Sequence, residues 1–312
     1  MMTETHLRVA AYYAPRGRKR LHLLGRDLAQ RYLQPSDLLV GIIGAEGAGK
    51  STLIQGLFPG LELTNDDDGA NVKQNHLFSF SEESFFSPHT FHLDVRYELA
   101  FHQVYEIVDA IHQAIKNNRR VVVEHFDLIY EALGYNAQII FGIGEEVKVY
   151  RPSVFWPSPL AIKQEVDETI KYRLMAHSAE DVISFILKRD YDFTPPVLHS
   201  EVTHGFVMAF HQKPSIDLAE LEKKVQLMIE LDLCIKPDKG DVITLGQDSV
   251  PCTGKRIHVK STGEIENFRL LKDYKYDPIT EQYLLVGLVG REKLEDFNVS
   301  DFWREKYAIY FL

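Results

Sequence analysis

Only two cysteines, Cys234 and Cys252, occur in 312 residues. They cannot build a disulfide framework, which excludes the small cross-linked secreted scaffolds and makes a reducing, cytoplasmic setting the expectation. No apolar stretch approaches the ~20 residues that span a bilayer, so no membrane partner is expected. The opening Met1-Met2-Thr3-Glu4-Thr5-His6-Leu7 lacks a basic region followed by an apolar one, the mark of a signal peptide. Positive charge is short as well. A formal net charge of −10 argues against a broad, non-specific nucleic-acid surface, which needs a basic field. One local exception is Arg16-Gly17-Arg18-Lys19-Arg20. Read alone it is a solvated helix flank, with a phosphate or RNA contact as the alternative.

What is present is a chain long enough for two domains, without internal repeats or low-complexity tracts. Its most specific feature follows the apolar run Leu38-Leu39-Val40-Gly41-Ile42-Ile43. There, Gly44-Ala45-Glu46-Gly47-Ala48-Gly49-Lys50-Ser51-Thr52 satisfies the phosphate-binding-loop (P-loop) pattern G-x-x-x-x-G-K-[ST]. The context fits, with a β-branched strand before it and a helix-compatible run after it. Gly44, Gly47 and Gly49 let the backbone wrap so that its N–H groups point at phosphate oxygens. The helix that begins near Lys50 adds its partial positive end. Lys50 would reach the terminal phosphates, and Ser51, followed by Thr52, would help hold Mg²⁺. The expected ligand is therefore ATP or GTP with Mg²⁺.

Along the chain, residues 6–13 alternate as a strand, and Leu21, Leu24, Leu28 and Tyr32 recur at helical spacing. The strand before the glycine motif is expected over 38–43, and a short one over 61–64 that ends in Asp66-Asp67-Asp68. Residues 71–90 show no period and read as a loop. The stretch 96–116 reads as one amphipathic helix stopped by Asn117-Asn118, before a buried strand at 120–124 and another at 138–141. Strands alternating with helices imply a parallel sheet covered on both faces. Pro152, Pro157 and Pro159 place the boundary near 155, between domains at 1–155 and 156–312. Beyond it come a helix over about 166–188, a strand at 205–210, and a helix opened by a capping box at Asp217-x-x-Glu220. Several strands follow, so helices on an antiparallel sheet are expected there.

The first half resembles the uridine-kinase branch of P-loop kinases, carried by "GAEGAGKS", "LELTNDDD" and "RVVVEHFDLIY". The resemblance implies an α/β P-loop domain with a parallel sheet. It also implies a catalytic base among Asp66, Asp67 and Asp68, with Glu124 on the metal side. Such a base takes the proton of an acceptor hydroxyl near the γ-phosphate. The group's arginine-rich lid is reduced here to Arg151, within "EEVKVYRPS".

Residues 165–290 resemble the second additional domain of threonyl- and alanyl-tRNA synthetases, also found in free-standing alanyl-tRNA editing proteins. The likeness is carried by "RLMAHSAEDVISFIL", "THGFVMAFHQKPSIDLAELEKKVQLMIELDL" and "PCTGKRIHVKSTGEIENFRLL". It implies an α+β domain whose His177, Asp181, Cys252 and His258 would hold Zn²⁺. Asp181 stands where the family has a histidine, and the Cys-to-His gap is two residues longer than the family's. His177 and Asp181 are four apart, hence on one helical face, and both types bind zinc. That face reads as polar, against an apolar one formed by Met175, Ala179, Val182 and Ile186.

Together these features make an ATP- and Mg²⁺-dependent phosphotransferase acting on a small molecule or a nucleoside-like one the leading expectation. A metal-dependent hydrolase of mischarged aminoacyl-tRNA, with tRNA as partner, is the alternative. A nucleotide sensor without turnover is the third.

Overall fold

A computed structural model describes residues 8–63, 77–78, 89–193, 198–199, 202–252 and 254–290. The chain divides into two compact units, Met1–Arg173 with Thr253–Ile257, and Leu174–Cys252 with His258–Leu312. Asp66, Asp67 and Asp68 lie outside the described residues.

The first unit is mixed α/β. Its six strands are β1 (Val9–Tyr13), β2 (Leu39–Gly44), β3 (Thr90–Asp94), β4 (Arg120–Glu124), β5 (Ile139–Ile143) and β6 (Glu146–Tyr150). They form one sheet in the order β1-β6-β5-β2-β4-β3. Strands β3, β4, β2 and β5 run parallel, whereas β6 and β1 pair antiparallel at one edge. All six residues of β2 are buried because helices cover both faces. Leu39 and Ile43 pack with Ile107, Ile111 and Ala114 of a helix on one side. Val40 and Ile42 pack with Leu21, Leu28, Leu53 and Ile54 on the other. Those helices are α1 (Arg18–Tyr32), α2 (Lys50–Leu57), α3 (Val95–Glu98) and α4 (Val104–Lys116), followed by α5 (Tyr130–Leu133). The chain leaves β2 toward β4 and β3 on one side and reaches β5 on the other. The carboxyl end of β2 is thus a topological switch point, where open α/β sheets place their ligands.

Several elements differ from the sequence expectation. Residues 61–63 form no strand, and the strand that pairs with β4 is β3, at 90–94. The single helix expected over 96–116 is two, α3 and α4, because Asp94 caps the first turn and Gln103 opens a second start. The Gln103 backbone N–H there donates to Glu106 Oε2 at 2.7 Å. Asn118, at φ +53°, ends α4 in a left-handed turn.

Helix α6 (Pro159–Tyr191) is continuous over 33 residues and passes from the first unit into the second at Arg173. The second unit contains α7 (Leu218–Glu230) and the strands β7 (Leu198–His199), β8 (Gly205–Phe210), β9 (Ile235–Pro237), β10 (Val242–Leu245) and β11 (Asp248–Pro251). Strands β12 (Arg269–Leu270), β13 (Lys275–Asp277) and β14 (Gln282–Leu288) complete it. Every pairing among these is antiparallel. At α7, Asp217 accepts from the Ala219 and Glu220 backbone N–H groups at 2.8 and 3.3 Å. Among the described residues, no helix is long and apolar enough to cross a membrane.

Candidate functional site

The glycine loop connects β2 directly to α2. Gly44 ends the strand, Gly47 and Gly49 take φ values of +75° and +98°, and Lys50, Ser51 and Thr52 form the first turn of the helix. A Cβ at Gly49 would sit 2.4 Å from Leu21 Cδ2, so glycine is required there by space as well as by backbone angle. Lys50 is 8% exposed, although its position in a loop-to-helix turn reads as surface. Its Nζ donates to the Ala45 carbonyl at 3.1 Å and lies 4.0 Å from Glu124 Oε2.

Glu124 ends β4, and Asp94 ends β3 at the paired register position. Parallel strands with equal ends therefore present two carboxylates side by side. Burial alone would raise the Glu124 pKa. The hydrogen bond from His92 and the charges of His92, Lys50 and His125 outweigh it, and the net shift is downward. The His92 Nε2–Glu124 Oε1 distance is 3.2 Å, and the ionised carboxylate accepts. His125, at φ +56°, is shifted down by burial and by the Lys50 charge, which favours a neutral imidazole. Lys50, Ser51, Asp94, Glu124 and His125 line one cleft of about 230 Å³. Ser51 and Glu124 are hard oxygen donors of the kind Mg²⁺ prefers.

Asp94 is absent from the sequence expectation. Its strand is five residues long and abuts an aperiodic segment; the available signal was Phe91-His92-Leu93-Asp94, an alternation that ends in an acid before a helix. Asp94 Oδ1 accepts from Tyr97 N–H at 3.2 Å, so the carboxylate also caps α3.

Arg151, the one arginine in the region of the expected lid, serves elsewhere. Strand β6 runs antiparallel to β5, so its end lies where β5 begins, at the edge opposite the glycine loop. There Arg151 pairs with Asp37 and donates to the Tyr32 carbonyl. Arg173 is buried and donates to the carbonyls of Ala48 and Pro15 at 2.9 and 2.8 Å, which pins the glycine loop from below. In the Arg16–Arg20 run, Arg18 and Lys19 are exposed as a solvated flank requires, whereas Arg16 is buried.

In the second unit, His177, Asp181, Cys252 and His258 come together, with one donor atom from each within 4.8 Å of all the others. The Cys252 Sγ–His177 Nε2 distance is 3.2 Å, Cys252 Sγ–His258 Nε2 is 3.7 Å, and His258 Nε2–Asp181 Oδ2 is 2.9 Å. Tetrahedral bond lengths to zinc put neighbouring N, O and S ligands roughly 3.3–3.6 Å apart, so the donor set fits that ion in type and spacing. Its surroundings fit as well. His177 Nδ1 lies 3.4 Å from Glu180 Oε2, an outer carboxylate that leaves Nε2 facing the other donors. Val259 N–H donates to Ser178 Oγ at 3.1 Å and seats the residue after His258 on α6.

The polar face expected at 177–181 is not solvated. His177, Ser178, Glu180 and Asp181 are all buried alongside Met175, Ala179 and Val182. Two carboxylates in such a place are costly unless paired or bound to a cation. Burial shifts the His177 pKa down toward the neutral, ligating form. At Asp181 burial acts upward, but the neighbouring imidazoles of His177 and His258 and the hydrogen bonds from His258 and Cys252 prevail, and the net shift is downward.

No protein-family model matches the chain, and no curated protein matches it either.

Proposed function

We propose that the chain binds ATP or GTP with Mg²⁺ at the glycine loop and transfers the terminal phosphoryl group to a hydroxyl of a small-molecule acceptor. The observation that carries this reading is the convergence of Lys50, Asp94 and Glu124 on one cleft at the carboxyl ends of adjacent strands. The loop's backbone N–H groups and Lys50 would hold the phosphates. Ser51 and Glu124 would hold Mg²⁺, which neutralises phosphate charge when bound. Asp94 would accept the proton of the acceptor hydroxyl as that oxygen attacks phosphorus. His92 keeps Glu124 ionised and oriented.

The four-donor cluster favours a structural ion over a hydrolytic one. Four protein donors complete a tetrahedron, whereas catalytic zinc keeps a position open for water. A hydrolase of mischarged aminoacyl-tRNA would need that open position. Zinc, when bound at these four residues, would supply folding free energy.

Lys50→Met tests the nucleotide site while keeping most of the buried side-chain volume. ATP affinity measured by calorimetry should fall about 10- to 100-fold, the range expected for losing one charge-assisted contact. The melting temperature should stay close to that of the parent. Unchanged affinity in the folded variant would refute the nucleotide site.

A further inference from the structure

The first unit shows a shortage of cations for a bound triphosphate. Arg151 is held at the far edge of the sheet, Arg120 donates to the Asp37 and Gln34 carbonyls at 2.6 and 2.8 Å, and Arg173 is occupied by backbone carbonyls. Lys50 and Arg96 line the Asp94–Glu124 cleft, Arg96 pairing with Glu46 at 3.4 Å, and the two do not balance the roughly four negative charges of a nucleoside triphosphate. Other cations do lie beside the loop, supplied from a distant stretch of sequence. Residues Thr253–Ile257 belong to the first unit although the chain on either side belongs to the second. A small cleft of about 70 Å³ shares Gly47, Gly49 and Ser51 with the Asp94–Glu124 cleft, and Arg16, Arg18, Lys255 and Arg256 line it. The approach is close. A Cβ at Gly47 would meet the Arg256 carbonyl oxygen at 3.1 Å, so Gly47 is small because this segment lies against it.

We infer that residues 254–257 form the cationic wall of the nucleotide site, with Lys255 and Arg256 binding phosphate oxygens of a nucleoside polyphosphate held on the glycine loop. This rests on the nucleotide reading above. Three observations carry it. Four cations gather on one cleft in a chain of net charge −10, where chance favours acids. Thr52 and Gln55, on the first turns of α2, line the same cleft, so it lies along the positive end of that helix. Arg16 is buried and its charge bears on the equally buried Arg173, whose pKa is pushed down to about 9 by burial first and by Arg16 second. An anion in the cleft would add negative charge beside this buried pair.

The segment also has a distinctive tether. Its flanking residues, Cys252 and His258, are two of the four cluster donors, so the wall is a short loop between two of them in sequence. Ile257 N–H donates to the Gly254 carbonyl at 2.8 Å and closes the turn that presents Lys255 and Arg256.

The test is calorimetry on the full chain with two probes, ATP·Mg²⁺ and inorganic tripolyphosphate. Lys255→Glu combined with Arg256→Glu should weaken both probes about 10- to 100-fold, as loss of charge-assisted phosphate contacts predicts. The conservative pair Lys255→Arg with Arg256→Lys should restore affinity to within about threefold, since charge is kept and only geometry changes. Arg256 is exposed and Lys255 half-buried, so both variants should fold. Parent-like affinity for both probes in the double glutamate variant, with loss in Lys50→Met, overturns the wall and leaves the nucleotide reading intact. Loss in the double glutamate variant with none in Lys50→Met overturns both, since the anion then binds Lys255 and Arg256 away from the glycine loop. A parent protein that binds neither probe overturns both.

Discussion

Asp94→Asn should lower phosphoryl transfer by a factor of about 10²–10⁴, the usual contribution of a general base, while ATP affinity stays within about threefold. The substitution keeps size and shape, and asparagine caps a helix as well as aspartate does. The hydrogen bond from Tyr97 N–H should therefore survive, together with α3. What disappears is the proton acceptor. A drop in kcat with unchanged ATP affinity is the pattern for a group that acts only in the transition state. Glu124→Gln should differ in kind, weakening the Mg²⁺ dependence, because Glu124 is the carboxylate tied to His92 and Lys50. The comparison that matters is with Asp66→Asn, Asp67→Asn and Asp68→Asn. If one of these removes turnover and Asp94→Asn does not, the base comes from the stretch 64–70 and Asp94 is a helix cap.

The two carboxylate assignments show what a linear reading reaches. The glycine loop is legible because its chemistry is local. Eight consecutive residues supply the turn, the lysine and the hydroxyl, and the flanking strand and helix follow from periodicity. Glu124 is legible for a related reason, as the last residue of a short valine run. Asp94 is not, because its role depends on the register of β3 against β4 and no local pattern encodes that pairing. Residues 254–257 are harder still. Their meaning lies in lying against Gly47, about 200 residues earlier in the sequence. The spacing of His177 and Asp181 predicts a shared helical face, but not that the helix is buried all round there. A histidine and a carboxylate on a helix usually face water, so burial and the outer partner Glu180 had to come from the packing.

Burial also sets the size of the effect expected at the cluster. The purified protein should carry about one zinc per chain, as a closed site with four ligands requires. Cys252→Ser should lose it, because the thiolate is the softest donor of the set and the one that water replaces least well. An ion held a thousandfold above its dissociation constant contributes about 4 kcal/mol to folding. For a unit of this size that corresponds to roughly 8–16 °C in the midpoint of thermal unfolding. The serine variant could also melt early through lost packing, so chelation separates the causes. A strong chelator should lower the melting temperature of the parent to near that of Cys252→Ser and leave the variant itself unmoved. Asp181→His should act in the opposite direction and tighten zinc retention, since imidazole is a softer ligand than carboxylate. The tether adds a second readout. Cys252 and His258 bracket residues 254–257, so releasing the ion frees both ends of the proposed cationic wall. Chelation should then weaken ATP binding about tenfold, within the usual range of coupling between two sites, and ATP should in turn slow zinc loss. A protein that purifies without zinc, melts unchanged with serine at 252, and binds ATP equally with and without chelator would reduce the four residues to a buried hydrogen-bonded network.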